Sequence, residues 1–337
     1  MVREGGLEPP RACAHKVLSL ARLPFRHSRA PLVTTDERVN RPRDLIQAAT
    51  CHEVKLSVII ATHARPAALA RLVESLAPQL KPERELLIAD NGTGQPSPIP
   101  EVAPPLTHLH DPRPGKCRIQ NRAIAAATGD VIVFLDDDLV VAPRFLDQVE
   151  RFFNDHPEFA AMKGRILPAD DPVRKAGPRA VYLDLPIVDH GEHVIEVRGV
   201  IGANMAFRRA ALDRVGRFNE RLGPGAAGHE EETELSARIR RAGLKIGYAP
   251  LAVVYHEVDP GRADRERFLR VARERGRCRM IHERHSRFEV TLKILVASVR
   301  VRVARALGAG LERIAREEKR LAIARGMGDG LASSPLP

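Results

Sequence analysis

Three short runs of consecutive apolar residues, at positions 56–61, 86–89 and 131–135, constrain the fold of this 337-residue chain most. A strand that is buried on both faces has no polar face, so it appears as an unbroken apolar run, as in parallel sheets covered by helices. After the first run, Pro66 suits the first turn of a helix, and apolar residues then recur at helical spacing. Alternating strands and helices of these lengths predict an α/β fold, with a mostly parallel central sheet and helices on both faces.

The same alternation continues, less regularly, to residue 261. The further expected elements are a weak strand at 106–109, a helix at 116–127 that Gly129 ends, strand or mixed structure at 197–208, a helix at 231–242, and short strands at 246–250 and 253–256. Residues 54–261 therefore form the predicted α/β domain.

The third apolar run ends in three consecutive aspartates, Asp136, Asp137 and Asp138. Adjacent carboxylates repel one another, and a solvated acidic turn is the ordinary explanation for such a run. Here the run leaves the core at the carboxyl edge of the sheet, where open α/β sheets bind their ligands. In a turn, Asp136 and Asp138 can face one side while Asp137 faces away. Two carboxylates on one side suit a divalent ion, Mn²⁺ or Mg²⁺, that also binds diphosphate oxygens.

Other polar residues are expected at the same edge of the sheet. Asp90 ends the second run, where it either caps a turn or accepts a hydrogen bond from a nucleobase N–H. Thr62 and Arg65, after the first run, would complete that nucleotide pocket. His256 ends an apolar stretch, where a buried histidine with satisfied hydrogen bonds is more common than a metal ligand.

A cluster of carboxylates, Glu230, Glu231, Glu232 and Glu234, opens the helix expected at 231–242. Acidic residues stabilise the positive end of a helix dipole, which explains part of this cluster. Four carboxylates in five positions exceed what capping needs, and a base that deprotonates an acceptor hydroxyl must be a carboxylate or a histidine. The preceding His229 does not begin an H-E-x-x-H motif, which excludes a zinc-protease site.

An ordered set of motifs over about residues 54–260 resembles glycosyltransferase family 2, whose members have the GT-A fold and invert configuration at the anomeric carbon. The matching segments are residues 57–65, 89–93, 115–121, 129–138, 202–208, 216–220, 231–235, 242–243 and 248–256, with Arg238. The order and the family-like intervals of these segments carry the resemblance, since no single motif is decisive.

The resemblance implies roles for individual residues. It implies that the nucleotide sugar is bound by Ala61, Thr62, Arg65, Asp90, Gly115, Asn121, Asp136 and Asp137. It implies that Gly202, Ala203 and Asn204 lie on the acceptor side, and that Asp136, Asp138 and His256 hold the metal. The catalytic base falls on Glu232, with Glu231 as the alternative, although a Glu-Glu pair replaces the family's Glu-Asp pair. Gln120 stands where the family often has arginine, which puts one phosphate contact in doubt.

The basic excess of the chain lies in one segment. The formal net charge is +11, and residues 262–325 hold 19 Lys and Arg against 8 Asp and Glu. A nucleic-acid enzyme more often carries its positive charge around the active site, so we expect no nucleic-acid partner. Apolar residues at helical spacing among these cations predict a helical extension. It either packs on the body or another subunit, or lies as a basic amphipathic helix on an anionic membrane beside a lipid-linked acceptor.

The two ends carry no functional prediction. Residues 1–53 lack periodicity and are expected to be a disordered leader or an over-extended start, and residues 326–337 a flexible tail. The four cysteines are scattered, and no apolar run is long enough for a membrane span or a signal peptide. These features predict a cytoplasmic protein, either free or at the inner face of the membrane.

Three functions are weighed. The leading hypothesis is transfer of a sugar from a nucleotide diphosphate, with UDP as the expected carrier, to a hydroxyl of a saccharide or lipid-linked acceptor. Nucleotidyl transfer usually needs a Gly-rich basic loop after the first strand, and neither a P-loop nor a G-x-G-x-x-G motif is present. A non-catalytic nucleotide-sugar-binding protein is the third possibility, against which the two carboxylate clusters count.

Overall fold

The structure is a computed structural model that describes residues 54–100, 102 and 106–333. The expected leader at 1–53 lies outside the described residues, as do residues 334–337 of the expected tail. The strands are β1 Leu56–Thr62, β2 Glu85–Asp90, β3 Thr107–His110, β4 Val131–Asp136, β5 Leu139–Val141, β6 Phe159–Pro168, β7 Ile195–Val197, β8 Asn204–Arg208 and β9 Lys245–His256. The helices are α1 Pro66–Leu76, α2 Lys116–Ala126, α3 Phe145–Asp155, α4 Pro172–Ala176, α5 Arg209–Val215, α6 Glu231–Arg241, α7 Arg265–His282, α8 Arg287–Ala306 and α9 Leu311–Ser333.

All the described strands belong to one mixed sheet, with the order β3-β2-β1-β4-β8-β6-β9-β5 and with β7 paired to β9. Strands β3, β2, β1 and β4 are mutually parallel, as the apolar runs predict. Beyond β4 the sheet is less parallel than expected, because β8 runs antiparallel to both β4 and β6. The predicted α/β class is therefore confirmed, with its parallel part on the side that carries the first three apolar runs.

The central strands are apolar throughout because helices cover both faces of the sheet. In β1, Val58 and Ile60 belong to one core layer, together with residues of α1 and α3. Ile59 belongs to the opposite layer, with residues of α2 and α6. All three side chains are fully buried, so β1 has no solvent-facing side and its sequence shows no alternation.

One strand, β9, replaces the two short strands that were expected at 246–250 and 253–256. Its pairing with β6 shifts register between Ala249 and Val253. Pro250 lies within this shift and has no N–H to donate to a neighbouring strand, so a local irregularity there is expected. The strand continues past it and ends at His256, which positions this histidine at the edge of the sheet.

The predicted single helical extension is three helices, α7, α8 and α9. Phe268 of α7 packs edge-to-face on Tyr182 of the body, with ring centroids 5.7 Å apart. Residues 326–333, expected to be flexible, continue α9. A β-carbon at Gly326 would overlap the carbonyl oxygen of Arg273 in α7, so the glycine permits close backbone packing of the two helices. In the described part of the chain, every helix is too short or too polar to span a lipid bilayer.

Candidate active site

A cleft of about 600 Å³ opens at the carboxyl ends of β1, β2 and β4. Of the residues predicted from the sequence, those that line it are Ala61, Thr62, Arg65, Asp136, Asp137, Asp138, Gly202, Ala203, Glu231, Glu232 and His256. Asp90, Gly115, Asn121 and Asn204 do not line the cleft, although each supports a segment next to it. The structure thus brings the acidic triplet and the glutamate cluster to a single cavity.

The three aspartates at the end of β4 have different partners. Asp136 accepts a hydrogen bond from the Lys116 ammonium at 2.6 Å. Burial alone would raise the pKa of Asp136, but the positive charge of Lys116 brings it below its ordinary value. Asp138 accepts from Arg65 at 3.0 Å and lies 3.5 Å from Arg262. Asp136 and Asp138 therefore both face the cleft, where the side chains of Lys116, Arg65 and Arg262 lie beside them.

Asp137 contacts the end of β1 and also lines the cleft with Asp136 and Asp138, whereas the sequence predicted that it faces away from them. Its carboxylate accepts from the Thr62 hydroxyl at 2.8 Å and from Arg65 at 3.0 Å. Burial raises the pKa of Asp137 above its ordinary value. The residue thus fixes the β1–α1 loop, and with it the two side chains predicted for the nucleotide pocket.

His256 lies beside the triplet because β9 pairs antiparallel with β5, the strand that directly follows the aspartates. Its Nε2 is 3.5 Å from a carboxylate oxygen of Asp138, while its Nδ1 is 2.9 Å from the carbonyl oxygen of Glu257. A carbonyl can only accept, so Nδ1 donates to Glu257, and Nε2 is the ring nitrogen that faces Asp138 and the cleft. A metal-binding histidine uses one ring nitrogen for the ion and the other for such a hydrogen bond.

The donor set at this edge fits a divalent cation. Oxygen and nitrogen ligands lie about 2.0–2.3 Å from such an ion, so two of them on one ion are roughly 3 Å apart. The Asp138–His256 separation is close to that value, and Asp136 supplies a further carboxylate. Among the described residues, no group of three or more His, Cys, Asp or Glu side chains is already gathered in ligand geometry. Lys116 and Arg65 instead neutralise the carboxylates.

Lys116 is a cleft residue that the sequence patterns did not single out. It starts α2, directly after Gly115, whose φ of 134° lies in the left-handed region that favours glycine. Burial alone would lower the pKa of the Lys116 ammonium, but Asp136, Glu231 and Glu232 together raise it. The same ammonium is therefore within electrostatic range of the triplet and of the glutamate cluster.

Asp90 is fully buried in its own loop. Its carboxylate accepts from the backbone N–H of Gly92 at 2.8 Å and of Ser97 at 2.6 Å. Burial alone would raise the pKa of Asp90, and these N–H donors lower it below the ordinary value. The turn-capping alternative matches this placement, and direct contact with a nucleobase stays a prediction. Its neighbour Asn91 does line the cleft and accepts from the Gly115 N–H at 3.0 Å, so it ties β2 to the start of α2.

Two other predicted residues have structural partners outside the cleft. Asn121 donates to the Phe218 carbonyl and to Glu220, and so holds α2 to the loop at 216–220. Asn204 donates to the carbonyls of Arg165 and Ala252, and so joins β8 to its neighbours behind the cleft. Donor binding by Asn121 and an acceptor-side role for Asn204 are not supported by these positions.

The residues of the glutamate cluster have different partners. Glu230 contacts α7, with Arg279 at 3.3 Å and His282 at 3.7 Å, and Glu234 pairs with Arg238 at 2.8 Å. Glu230, Glu231 and Glu232 all line the cleft, and of these three Glu230 is the one held by α7. Burial, and then the negative charge of Glu231, raise the pKa of Glu232 to about 8. A carboxylate with this pKa is a stronger base than an ordinary glutamate.

The C-terminal extension also reaches the cleft, which was not expected from its sequence. Arg262 lies just before α7, and α7 itself contributes Arg267 and Arg275 to the lining. Arg275 pairs with Asp184 at 2.9 Å. Arg267 has no carboxylate within salt-bridge distance among the described residues. Burial, and then Arg262 and Arg270, lower its pKa. The signal for these residues was the charge excess after residue 261, but the sequence did not indicate which arginines turn inward.

Comparison with known proteins identifies a family domain in this chain. Residues 57–216 match the model of glycosyl transferase family 2. These residues therefore form a glycosyl transferase family 2 domain. The expected α/β fold with a helical C-terminal extension is confirmed.

Individual relatives are distant. The glucosyl-dolichyl phosphate glucuronosyltransferase of Haloferax volcanii is 25% identical over 219 residues, which cover 61% of this chain and 70% of that protein. The pre-mycofactocin glycosyltransferase of Mycobacterium tuberculosis is 27% identical over 274 residues, 77% of this chain, and the match spans only 54% of that protein. A solved mannosyltransferase from Pyrobaculum calidifontis, in complex with GDP-Man and Mn²⁺, gives a TM-score of 0.46 at 16% identity, over 85% of this chain and 78% of that chain.

Proposed function

We propose that this protein transfers a sugar from a nucleotide-diphosphate sugar, with UDP as the favoured carrier, to a hydroxyl of a saccharide or lipid-linked acceptor, with inversion at the anomeric carbon. The observation that carries the proposal is the meeting of two carboxylate groups in one cleft. Asp136 and Asp138, with His256, lie on the side of β4, and Glu231 and Glu232 lie at the start of α6.

The donor is held at the acidic triplet. Asp136, Asp138 and His256 would hold Mn²⁺ or Mg²⁺, which neutralises charge on a departing diphosphate when bound. Lys116 pairs with Asp136, and Arg262 lies near Asp138. If a metal ion bound these two carboxylates, both cations would be able to contact phosphate oxygens of the donor instead. Thr62 and Arg65, fixed by Asp137, line the nucleotide side of the cleft. The chain thus supplies several cations where negative charge develops on the leaving group.

The acceptor is activated by a glutamate at the start of α6. Glu232 takes the proton from the acceptor hydroxyl while the hydroxyl oxygen attacks the anomeric carbon. The bond between that carbon and the diphosphate oxygen breaks, and the nucleotide diphosphate leaves from the opposite side. A single base and one displacement give inversion. The raised pKa of Glu232 suits this proton transfer, and Glu231 is the alternative base.

The names of the relatives indicate a class of acceptor. The relatives named above act, by their names, on a glucosyl-dolichyl phosphate and on a pre-mycofactocin. Another relative is a succinoglycan biosynthesis protein of Rhizobium meliloti. These names favour glycan or polysaccharide synthesis for this chain. Gly202 and Ala203 line the cleft without side chains that obstruct it, and an acceptor sugar can lie against them.

A panel of nucleotide sugars, each with and without Mn²⁺ or Mg²⁺, tests the proposal. We expect one donor to be hydrolysed slowly without acceptor, only when the metal is present. Asp138→Asn should reduce this hydrolysis and the metal affinity together by about 100-fold or more. Asp170→Asn is the matched control, because Asp170 pairs with Lys175 on the surface. Full metal-dependent activity in Asp138→Asn, or a product with retained configuration, would contradict the proposal.

A further inference from the structure

One face of α8 carries a continuous row of exposed apolar side chains. The row comprises Phe288, Leu292, Leu295, Val296, Val299 and Val303, and it ends at Leu307 just after the helix. Phe288, Leu295 and Leu307 are 77%, 60% and 71% exposed. The other large apolar residues that are exposed in the described chain, such as Val173 and Leu251, are scattered. A continuous exposed row of this kind marks a contact surface.

The row lies opposite the face by which α8 packs on the protein. The buried residues of α8 are Val290, Ala297, Val301 and Ala304. At 100° per residue these positions lie about half a turn from the exposed row. The row therefore lies on the outward side of α8, away from its buried face. It extends for roughly 28 Å along the helix axis.

Basic residues border the apolar row on both sides. Lys293 and Arg300 lie along one edge, and Arg287, Arg302 and Arg305 along the other, by their positions on the helix. Glu289 is the one acidic residue of α8, so the helix carries five cations and one anion. Arg287, Arg300 and Arg302 have no carboxylate partner within the described residues. Their charge is available to an anionic surface.

The positive charge of α8 indicates what kind of partner this surface binds. A second copy of the chain that packed α8 against α8 would bring two strongly basic helices together, at a cost that grows as water is removed. An anionic lipid surface instead attracts the flanking cations, and the acyl region accepts the apolar row. Long arginine side chains reach from the edge of such a row to the phosphate level.

We propose that the outward face of α8 docks on an anionic membrane, with residues 288–307 lying parallel to its plane. Within the described residues, neither α7 nor α9 adds an exposed row of large apolar side chains to this face. This docking does not depend on the proposed sugar transfer, since it is measured as vesicle binding in the absence of any donor. It would bring the catalytic domain to a lipid-linked acceptor.

Co-sedimentation of the full chain with vesicles rich in phosphatidylglycerol tests the proposal, with phosphatidylcholine vesicles as comparison. We expect binding to the anionic vesicles at low salt and much weaker binding at high salt. The triple variant Phe288→Ser/Leu295→Ser/Leu307→Ser should lower the partition coefficient by at least about 100-fold. The variant Arg287→Gln/Arg300→Gln/Arg302→Gln should lower it by about 100-fold and remove most of the salt dependence.

The matched control is Val173→Ser/Leu251→Ser, which removes comparably exposed apolar side chains elsewhere and should bind as the wild type does. Thermal unfolding of each variant checks that the fold is intact. Absence of wild-type binding at low salt would overturn the proposal, and so would equal binding by the serine variant. A wild-type dimer that becomes monomeric in the serine variant, with no vesicle binding, would show that a second copy covers this face instead.

Discussion

The Lys116 ammonium lies 2.6 Å from the Asp136 carboxylate and neutralises the first member of the acidic triplet. Glu231 and Glu232, on the acceptor side of the cleft, also act on its charge. One lysine therefore couples the two carboxylate groups on which the proposed reaction depends. A change at this residue should affect metal binding and proton transfer in opposite directions.

We expect Lys116→Met to bind Mn²⁺ more tightly in the absence of donor, by about tenfold or more. The lysine competes with the ion for Asp136, and removing its charge makes the cleft more negative. The same variant should lose about 100-fold in kcat/KM, because a cation near the leaving group is gone and the pKa of Glu232 rises further. Free Mn²⁺ measured by electron paramagnetic resonance and initial rates give the two quantities.

Lys245→Met is the control for this substitution, since Lys245 is exposed and pairs with Glu196 away from the cleft. It should change neither quantity. If Lys116→Met weakened Mn²⁺ binding and activity together, Lys116 would be a structural support of the site and not a competitor of the metal.

Much of the fold could be predicted because its central strands are buried on both faces. The runs at 56–61, 86–89 and 131–135 became β1, β2 and β4 with boundaries shifted by at most one residue at either end. The antiparallel return through β8 was not predictable, because strand direction depends on long-range pairing that local patterns do not encode. Residues 326–337 were predicted to be flexible, but Gly326 lies where α9 packs closely on α7. A glycine is typical both of flexible segments and of close backbone contacts, so the sequence alone did not distinguish the two.

The site was predicted in part. The approach of His256 to Asp138 followed from the family pattern, and the structure brings them together through the pairing of β5 with β9. Lys116 was missed because a lysine after a glycine at a helix start is an ordinary surface pattern. Asn121 was included from the motif, but its side chain supports a loop. Which face of a segment meets a cavity depends on packing partners far along the chain.

The pH profile of activity should report the glutamate pair. A base must be deprotonated, so kcat/KM should rise with pH and level off near pH 8, where Glu232 titrates. In Glu231→Gln the bend should move to lower pH, because burial remains but the negative neighbour is lost. Glu232→Gln should lose the bend and at least about 100-fold in rate. Loss of the bend in Glu231→Gln, with Glu232→Gln retaining it, would assign the base to Glu231.

Close packing of α7 on α9 predicts the effect of adding one methyl group. In Gly326→Ala the new β-carbon would overlap the backbone of Arg273, which cannot move without separating the helices. We expect a loss of about 1–3 kcal/mol in the free energy of unfolding, seen as a lower denaturant midpoint. Gly310→Ala is the control, because nothing lies within 4 Å of a β-carbon there. Equal midpoints for both variants would contradict the described packing.

The last prediction concerns Arg267, which α7 presents to the cleft. Burial and the nearby Arg262 and Arg270 lower the pKa of its guanidinium, and no described carboxylate lies within salt-bridge distance of it. An arginine kept in such surroundings is suited to an anionic ligand, and in the proposed reaction the diphosphate supplies that charge. We expect Arg267→Gln to lower kcat/KM for the donor by about 10- to 100-fold. Its melting temperature should equal or exceed that of the wild type, because one of three crowded cations is removed. Arg240→Gln, on the exposed side of α6, should leave both quantities unchanged. A lower melting temperature with unchanged kcat/KM would mean that Arg267 supports the fold and takes no part in donor binding.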